Sequence, residues 1–197
     1  MEAINSRDRA LQLLQTYFGY TSFRPAQEAP VESLLKNEDV VAIMPTGAGK
    51  SICFQIPALC KSGLTVVFSP LISLMKDQVD GLVDQNIPAA LINSTLTQTE
   101  FNKTMYDVRS GNIKLLYIAP ERLGSNFFCN VLRSMPISQV IVDEAHCISQ
   151  WGHDFRPSYR LIGEWLSSLP KRPVVGAFTA TATKTVENDI KKLLGLD

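Results

Sequence analysis

Residues 40–51 read VVAIMPTGAGKS, an apolar run that passes directly into a glycine-rich turn. The spacing predicts a buried strand, a phosphate-binding turn and a helix that begins at Lys50. Glycines let the backbone wrap closely around phosphate oxygens, and free N–H groups at a helix N-terminus attract an anion. In such a turn Lys50 reaches the β- and γ-phosphates of a nucleotide, and the Ser51 hydroxyl ligates Mg²⁺. The other residues expected at the phosphates are Thr46, Gly47, Ala48 and Gly49.

The strict form of this pattern has glycine at its first position, where the chain has Met44. The stretch can therefore also be interpreted as a structural strand-to-helix turn that binds no ligand. Which interpretation holds depends on whether the chain also carries the acidic residues that a nucleotide site needs.

Residues 140–146 read VIVDEAH, an apolar run that ends in two adjacent carboxylates. Asp143 is placed to hold Mg²⁺, directly or through water, and Glu144 to polarise the water that attacks the γ-phosphate. Taken alone, the pair is better interpreted as the capped start of a short helix. Together with a phosphate-binding turn on another strand, it is the expected second half of a site that binds and hydrolyses ATP.

Short apolar runs alternate with helical patterns along the chain. The runs occupy residues 40–44, 64–68, 89–92, 115–118, 140–142 and 174–178. Helices are predicted from a cap at Ser6 through Phe18, from Pro25 through Leu35, and over 50–59, 71–85, 97–110, 157–169 and 183–194. Continuous apolar runs are typical of strands covered on both faces. The pattern predicts an α/β fold with a doubly wound, mostly parallel sheet over residues 38–197, preceded by a helical extension over residues 1–37.

The composition is that of an ordinary globular domain. The chain has 197 residues, of which 45% are hydrophobic, and its 19 basic residues balance 19 acidic ones. A nucleic-acid partner therefore finds no support in the net charge, and any basic surface is local. The sequence contains no signal pattern and no apolar run long enough for a membrane span, so a soluble intracellular protein is expected. Four cysteines without C-x-x-C spacing indicate reduced, packed thiols rather than zinc ligands.

Several further stretches resemble the motifs of a helicase motor domain. Residues 44–51, 143–146 and 178–182 resemble helicase motifs I, II and III, and residues 69–78 and 117–123 resemble motifs Ia and Ib. FGY at 18–20, FRPAQ at 23–27 and QWGHDFRPSY at 150–159 are together similar to the RecQ family of DNA helicases, and most to its bacterial members. The resemblance extends from about residue 11 to the C-terminus and implies a RecA-like nucleotide-binding fold.

The resemblance implies roles for residues outside the phosphate loop. Tyr20 and Arg24 would sandwich adenine, and Gln27 would bond its edge. The alternative is that the rings near residue 20 staple two helices together, an interpretation we prefer for Phe18 and Phe23. DNA backbone is expected at Ser69, Lys76 and residues 120–122, although Lys76 is equally well a solvated helix residue. Thr179 and Thr181 would link the acidic site to a domain interface by bonding His146 or the acids, unless they only reflect β-propensity.

The aromatic stretch at residues 150–159 lies just beyond the acidic pair. It can be interpreted as a packed hydrophobic plug with Arg156 in a surface ion pair. We favour a DNA sensor connected to the hydrolytic site, because rings such as Trp151 and Phe155 can stack on unpaired bases for about 1–3 kcal/mol each. Arg156 can take a phosphate. His153 and Asp154 are expected to fix the loop.

The family motor consists of two such domains with ATP between them, and this chain contains one. We therefore expect a part of a longer enzyme that moves 3′ to 5′ on single-stranded and partly duplex DNA, in the bacterial cytoplasm at the nucleoid. Alone, the chain should hydrolyse ATP poorly and unwind nothing, because it lacks the second domain and its arginine. Two other classes remain: a nucleotide-gated translocase or remodelling module without unwinding, and a small-molecule kinase. The kinase would leave residues 150–159 and 178–182 without a function.

Overall fold

The computed structural model describes residues 5–196, so residues 1–4 and 197 of the two predicted units lie outside it. The helices in this range are α1 Ser6–Phe18, α2 Pro25–Leu35, α3 Lys50–Cys60, α4 Ile72–Asp84, α5 Gln98–Arg109, α6 Asn126–Arg133, α7 Arg160–Ser167 and α8 Lys184–Leu194. The strands are β1 Val40–Ile43, β2 Leu64–Phe68, β3 Ala89–Ile92, β4 Leu115–Ile118, β5 Ile137–Val142 and β6 Val174–Thr179.

The strands form one sheet in the order β1-β6-β5-β2-β4-β3, and every neighbouring pair is parallel. Every residue of β2, β4 and β6 is buried. This explains the continuous apolar runs, because a parallel sheet has helices on both faces and no solvated side. The predicted α/β fold with a doubly wound parallel sheet is confirmed.

Two hydrophobic layers enclose the sheet. Side chains from α1, α2, α3 and α4 form the core on one face. Side chains from α5, α6, α7 and α8 form the core on the other face. Each amphipathic helix therefore has a buried side against the strands, which supplies the main stabilisation of the fold.

The structure differs from the sequence-based prediction at several element ends. Asn5 rather than Ser6 caps α1, since its side chain accepts from the Arg7 N–H. The predicted helix over 157–169 is a short 3-10 turn at Pro157–Tyr159 followed by α7. A 3-10 helix at Pro120–Gly124 and the helix α6 were not predicted. The first half of β5 was not predicted because it contains the polar Gln139. The amide of Gln139 is buried and donates to the Phe54 carbonyl.

The carboxyl ends of all six strands meet at one edge of the sheet. There the loops that follow β1, β6, β5 and β2 lie side by side, because these four strands are neighbours. Ligands of open α/β sheets bind at this edge. Within residues 5–196, no helix has the length and apolar character needed to cross a membrane.

Candidate nucleotide site

The glycine-rich turn joins β1 to α3, as predicted. Gly47 and Gly49 both have a φ of 81°, in the left-handed region that favours glycine. Gly49 is the N-cap of α3 and brings no side chain to the helix start. The first N–H groups of α3 therefore lack a capping side chain and can serve an anion, with Lys50 and Ser51 in the first turn.

Two residues of the N-terminal segment form hydrogen bonds to the backbone of this turn. The side-chain nitrogen of Gln27 donates to the carbonyls of Gly49 and Ala48, at 3.1 and 3.3 Å. The Arg24 guanidinium donates to the carbonyl of Gly47 at 2.9 Å. A Cβ on Gly49 would lie 2.3 Å from Gln27 Nε2, so a side chain there would displace the Gln27 amide from these bonds. The segment before β1 is therefore built into the wall of the phosphate loop.

This arrangement refines the predicted role of Gln27 in adenine recognition. Its Oε1 accepts from the Arg24 N–H at 2.8 Å, and its Nε2 donates to two loop carbonyls. An adenine edge would therefore meet this amide at the second lone pair of Oε1. Tyr20 is 50% exposed and available as a stacking surface. Arg24 is exposed as well.

Asp143 follows the last residue of β5 and is buried. Its Oδ1 accepts from the Glu144 N–H at 3.0 Å. Burial and the neighbouring Glu144 raise the pKa of Asp143 to about 6, since both disfavour its charged form. A cation beside this carboxylate would favour its ionised form and so oppose the rise in its pKa.

Glu144 lies at the centre of the site. Its φ of 49° is left-handed, an uncommon conformation for a residue with a side chain. The carboxylate reaches Lys50 Nζ at 3.7 Å on one side and His146 Nδ1 at 3.3 Å on the other. The strained backbone aims the second acid of the pair at the phosphate-loop lysine, so residues from β1, β5 and their loops converge.

His146 connects the acidic pair to the end of β6. Its Nδ1 lies 2.8 Å from the Thr179 hydroxyl, which itself donates to the Thr181 carbonyl at 3.1 Å. Since that hydroxyl has a single hydrogen, Nδ1–H is the donor to Thr179. Burial, and then the His153 ring stacked 4.0 Å away, lower the pKa of His146. The ring thus joins Glu144 to Thr179 and, through its hydroxyl, to the Thr181 carbonyl.

The stretch at residues 150–159 is folded tightly against the same site. Arg156 donates to the carbonyl of Pro70 at 2.9 Å and to Asp154 Oδ2 at 3.0 and 3.1 Å. Tyr159 is buried and its hydroxyl donates to the Asp143 carbonyl at 2.8 Å. A Cβ on Gly152 would lie 2.3 Å from the His146 carbonyl. The stretch is therefore bonded both to the loop that carries Asp143 and Glu144 and to the segment that follows β2.

The rings of this stretch differ in exposure. Trp151 is 74% exposed, whereas Phe155 is half-buried beneath the guanidinium of Arg160, at 5.3 Å. His153 is exposed as well. The buried Tyr159 agrees with the packed interpretation for that ring, and Trp151 offers a free aromatic face.

The residues expected at DNA backbone are not equally placed for it. Lys76 is exposed, and so is Thr181, which was expected at the domain interface instead. Ser69 has no exposed surface, so its hydroxyl faces the protein rather than solvent. Arg122 packs over the rings of Phe101 and Phe128, at 5.2 and 5.5 Å, and stabilises the α5–α6 contact.

The residues at this edge fit a magnesium ion bound together with a nucleotide. Within the described chain, no three His, Cys, Asp or Glu side chains come together as a metal cluster. A cation would therefore take few protein ligands, Ser51 and Asp143, and complete its shell with phosphate oxygens and water. That is the usual way in which proteins bind Mg²⁺.

Two contacts of the site were not predicted from the sequence. The hydroxyl of Tyr159 reaches the Asp143 carbonyl, and Ser149 Oγ donates to Asp189 in α8 at 2.6 Å. A polar group on an otherwise apolar ring was the available signal for Tyr159, because a buried hydroxyl needs a partner. No local pattern indicates the contact between Ser149 and Asp189, which are far apart in sequence.

Comparison with solved structures shows the fold alone. The chain superimposes on the DUF1998 helicase MrfA bound to DNA with a TM-score of 0.77 and 16% identity, covering 100% of this chain and 29% of that one. A hypothetical ATP-dependent RNA helicase from Sulfolobus tokodaii gives a TM-score of 0.70 and 21% identity, over 94% of this chain and 54% of that one.

Sequence comparison is more specific. The ATP-dependent DNA helicase RecQ of Bacillus subtilis is 51% identical over 187 residues, which cover 94% of this chain and 32% of that protein. RecQ of Haemophilus influenzae is 45% identical over 196 residues, or 100% of this chain and 32% of that protein. The chain thus spans about a third of the length of these curated relatives, and the predicted resemblance to RecQ helicases is confirmed. A model of the DEAD/DEAH box helicase family matches residues 24–189, and the chain belongs to that family.

Proposed function

We propose that this chain is the ATP-binding half of a DNA helicase motor, and that its nucleotide site lies between the loops after β1 and β5. The observation that carries the proposal is the position of Glu144, held between Lys50 at 3.7 Å and His146 at 3.3 Å. A lysine that binds phosphate and a carboxylate that orients water must lie this close to act on one phosphoryl group.

Each group then has a distinct task. The amides of residues 47–51 and Lys50 bind the phosphates, while Ser51 and Asp143 hold Mg²⁺. The ion, when bound, neutralises the charge that develops on the phosphate oxygens. Glu144 accepts a hydrogen bond from the attacking water and orients it towards the γ-phosphate. Lys50 and the loop amides stabilise the transition state because they are fixed before it forms.

We assign adenine recognition to the segment before β1. Tyr20 and Arg24 offer a ring and a guanidinium plane to the two faces of the base, and Gln27 accepts from its amino group. The contacts from Gln27 and Arg24 to the phosphate loop support this, because base and phosphates would then be bound by one connected wall. In this proposal residues 1–37 are a nucleotide-recognition extension, and residues 38–197 are the RecA-like domain.

We assign DNA sensing to residues 150–159, with Lys76 on the same edge. Trp151 and Phe155 stack on unpaired bases, and Arg156 meets phosphate after leaving its partners Asp154 and Pro70. The supporting contacts run from His153, stacked on His146, to Glu144, Thr179 and the Thr181 carbonyl. Ser69 acts in this scheme through its place in the chain beside Pro70, since its side chain is buried. DNA that moves the loop would thereby move the group that orients water.

The longer protein would contain a second motor domain that closes over ATP and supplies an arginine to the phosphates. In this proposal it translocates 3′ to 5′ on single-stranded DNA in the bacterial cytoplasm, at the nucleoid. The supporting finding is that the RecQ relatives are named ATP-dependent DNA helicases and are about three times as long as this chain. Alone, the chain would bind ATP, hydrolyse it slowly and separate no strands.

The binding of a fluorescent ATP analogue tests the nucleotide site. Lys50→Ala should weaken binding by at least about tenfold, because a charge-assisted hydrogen bond contributes about 1.5–3 kcal/mol. Lys103→Ala, in an exposed lysine of α5, is the matched control and should bind as the parent does. Equal affinity in all three proteins would refute the site. Hydrolysis by the longer protein that responds to a small phosphate acceptor, and not to DNA, would favour a kinase instead.

A further inference from the structure

The segment after β2 lies directly beside Asp143. Phe68 pairs with Val142 in the sheet, and the Asp143 N–H donates to the Phe68 carbonyl at 2.9 Å. Phe68 and Val142 both belong to the core on the α5–α8 face. Since successive side chains of a strand alternate between faces, Ser69 and Asp143 turn together towards the opposite face, where α3 and the phosphate loop lie.

Two buried polar atoms of this segment have no hydrogen-bond partner in the described chain. They are Oγ of Ser69, whose residue is fully buried, and Oε1 of Gln78 in α4. The Gln78 side chain is also a hydrogen-bond partner of the Asp143 carboxylate, and this contact opposes the rise in the pKa of Asp143 that burial and Glu144 cause. The oxygen and the nitrogen of an amide are bonded to the same carbon, so the unpaired Oε1 of Gln78 also lies near the Asp143 carboxylate.

Leaving such atoms unpaired costs free energy, so a ligand that pairs them would be favoured. A hydroxyl and an amide oxygen are neutral groups, and they accept hydrogen bonds well from water polarised by a cation. Mg²⁺ loses its waters reluctantly and keeps several when it is bound to a nucleotide. The water shell of an ion on Asp143 is therefore the ligand that matches both orphaned atoms.

We propose that Gln78 and Ser69 are positioning residues of the magnesium site, which orient Asp143 and bind the water that the cation retains. This inference rests on the proposed nucleotide site and adds two residues to it from a different segment. The segment is also connected to the aromatic stretch, because the Pro70 carbonyl accepts from Arg156. Displacement of Arg156 would therefore remove a contact from the residue next to Ser69.

The test is a Mg²⁺ titration of the binding of a fluorescent ATP analogue, with nucleotide affinity measured in EDTA as well. Gln78→Met and Ser69→Ala should raise the half-saturating Mg²⁺ concentration by about tenfold or more, as loss of an outer-shell partner does. Affinity in EDTA should stay at the parent value, because the phosphate loop is untouched. Gln85→Met, the same substitution in the residue that follows α4, is the matched control and should match the parent.

Ser69→Ala separates this role from a purely structural one. Removal of a buried hydroxyl that has no partner should leave the urea-unfolding midpoint unchanged or raise it. A loss of Mg²⁺ affinity in a protein of unreduced stability therefore supports the proposal, and it decides the matter if Gln78→Met fails to fold. Parental Mg²⁺ dependence in Ser69→Ala overturns the proposal and leaves the nucleotide site standing. A parent chain that binds no nucleotide with or without Mg²⁺ removes both.

Discussion

Gln27 illustrates what the sequence can and cannot show at the scale of single residues. The sequence motifs predict that Lys50, Asp143 and Glu144 lie at one edge of the sheet, because the carboxyl ends of parallel strands meet there. The engagement of Gln27 with the phosphate loop was not predictable. It depends on how α2 is capped and where that cap lies against the loop, which are matters of tertiary packing.

The two phosphate-loop glycines provide a matched test of that contact. Gly47→Ala places a side chain at a φ of 81° with nothing within 4 Å, and should cost about 1–2 kcal/mol of unfolding free energy from the backbone alone. Gly49→Ala has the same φ, and its Cβ would also displace Gln27 from its bonds. We expect an additional loss of about 1 kcal/mol or more, measured by urea unfolding. Equal losses in the two variants would show that the Gln27 contact does not stabilise the loop.

At the scale of elements, burial explains both the successes and the failures of the predictions. The bounds of β2, β3 and β4 were predicted correctly, since each is a continuous apolar run between polar turns. The start of β5 was missed because Gln139 is polar yet fully buried, with its amide bonded to the Phe54 carbonyl. A single sequence does not reveal a partner 85 residues away.

Packing between α7 and α8 depends on Gly163. A Cβ there would lie 2.0 Å from the Leu193 carbonyl oxygen of α8, a contact that only movement of a backbone can relieve. Gly163→Ala should therefore lower the free energy of unfolding by about 1–3 kcal/mol, despite the better helix propensity of alanine. The control is Gly81→Ala in α4, where nothing lies within 4 Å. That change should stabilise the protein by about 0.5–1 kcal/mol in the same urea experiment. Stabilisation by both substitutions would refute the close packing.

At the scale of the whole molecule, one edge of the sheet carries both the proposed hydrolytic groups and the proposed DNA loop. The hydrogen bonds from Tyr159 to the Asp143 carbonyl and from Arg156 to the Pro70 carbonyl join them. Family motifs identify the hydrolytic groups and the DNA loop in the sequence. They do not predict the hydrogen bonds between the two, because these bonds connect residues from separate loops. Only the fold shows which atoms would transmit a change.

Trp151→Ala tests the DNA loop in the longer protein. The indole is 74% exposed, so its removal should not lower the thermal midpoint. It should reduce the stimulation of ATP hydrolysis by single-stranded DNA, because one stacked base contributes about 1–3 kcal/mol. Phe127→Ala, which removes another exposed ring from α6, should retain parental stimulation. Undiminished stimulation in Trp151→Ala would mean that the loop does not sense DNA.

The most direct test of the central claim is the rate of ATP hydrolysis by the longer protein, with and without single-stranded DNA, for the parent and for Glu144→Gln. We expect DNA to stimulate the parent, and Glu144→Gln to bind ATP as the parent does. We also expect Glu144→Gln to lose about 10²–10⁴-fold in rate, because the amide cannot act as the base that orients the attacking water. A Glu144→Gln protein that hydrolyses ATP at the parental rate in the presence of DNA would contradict the account.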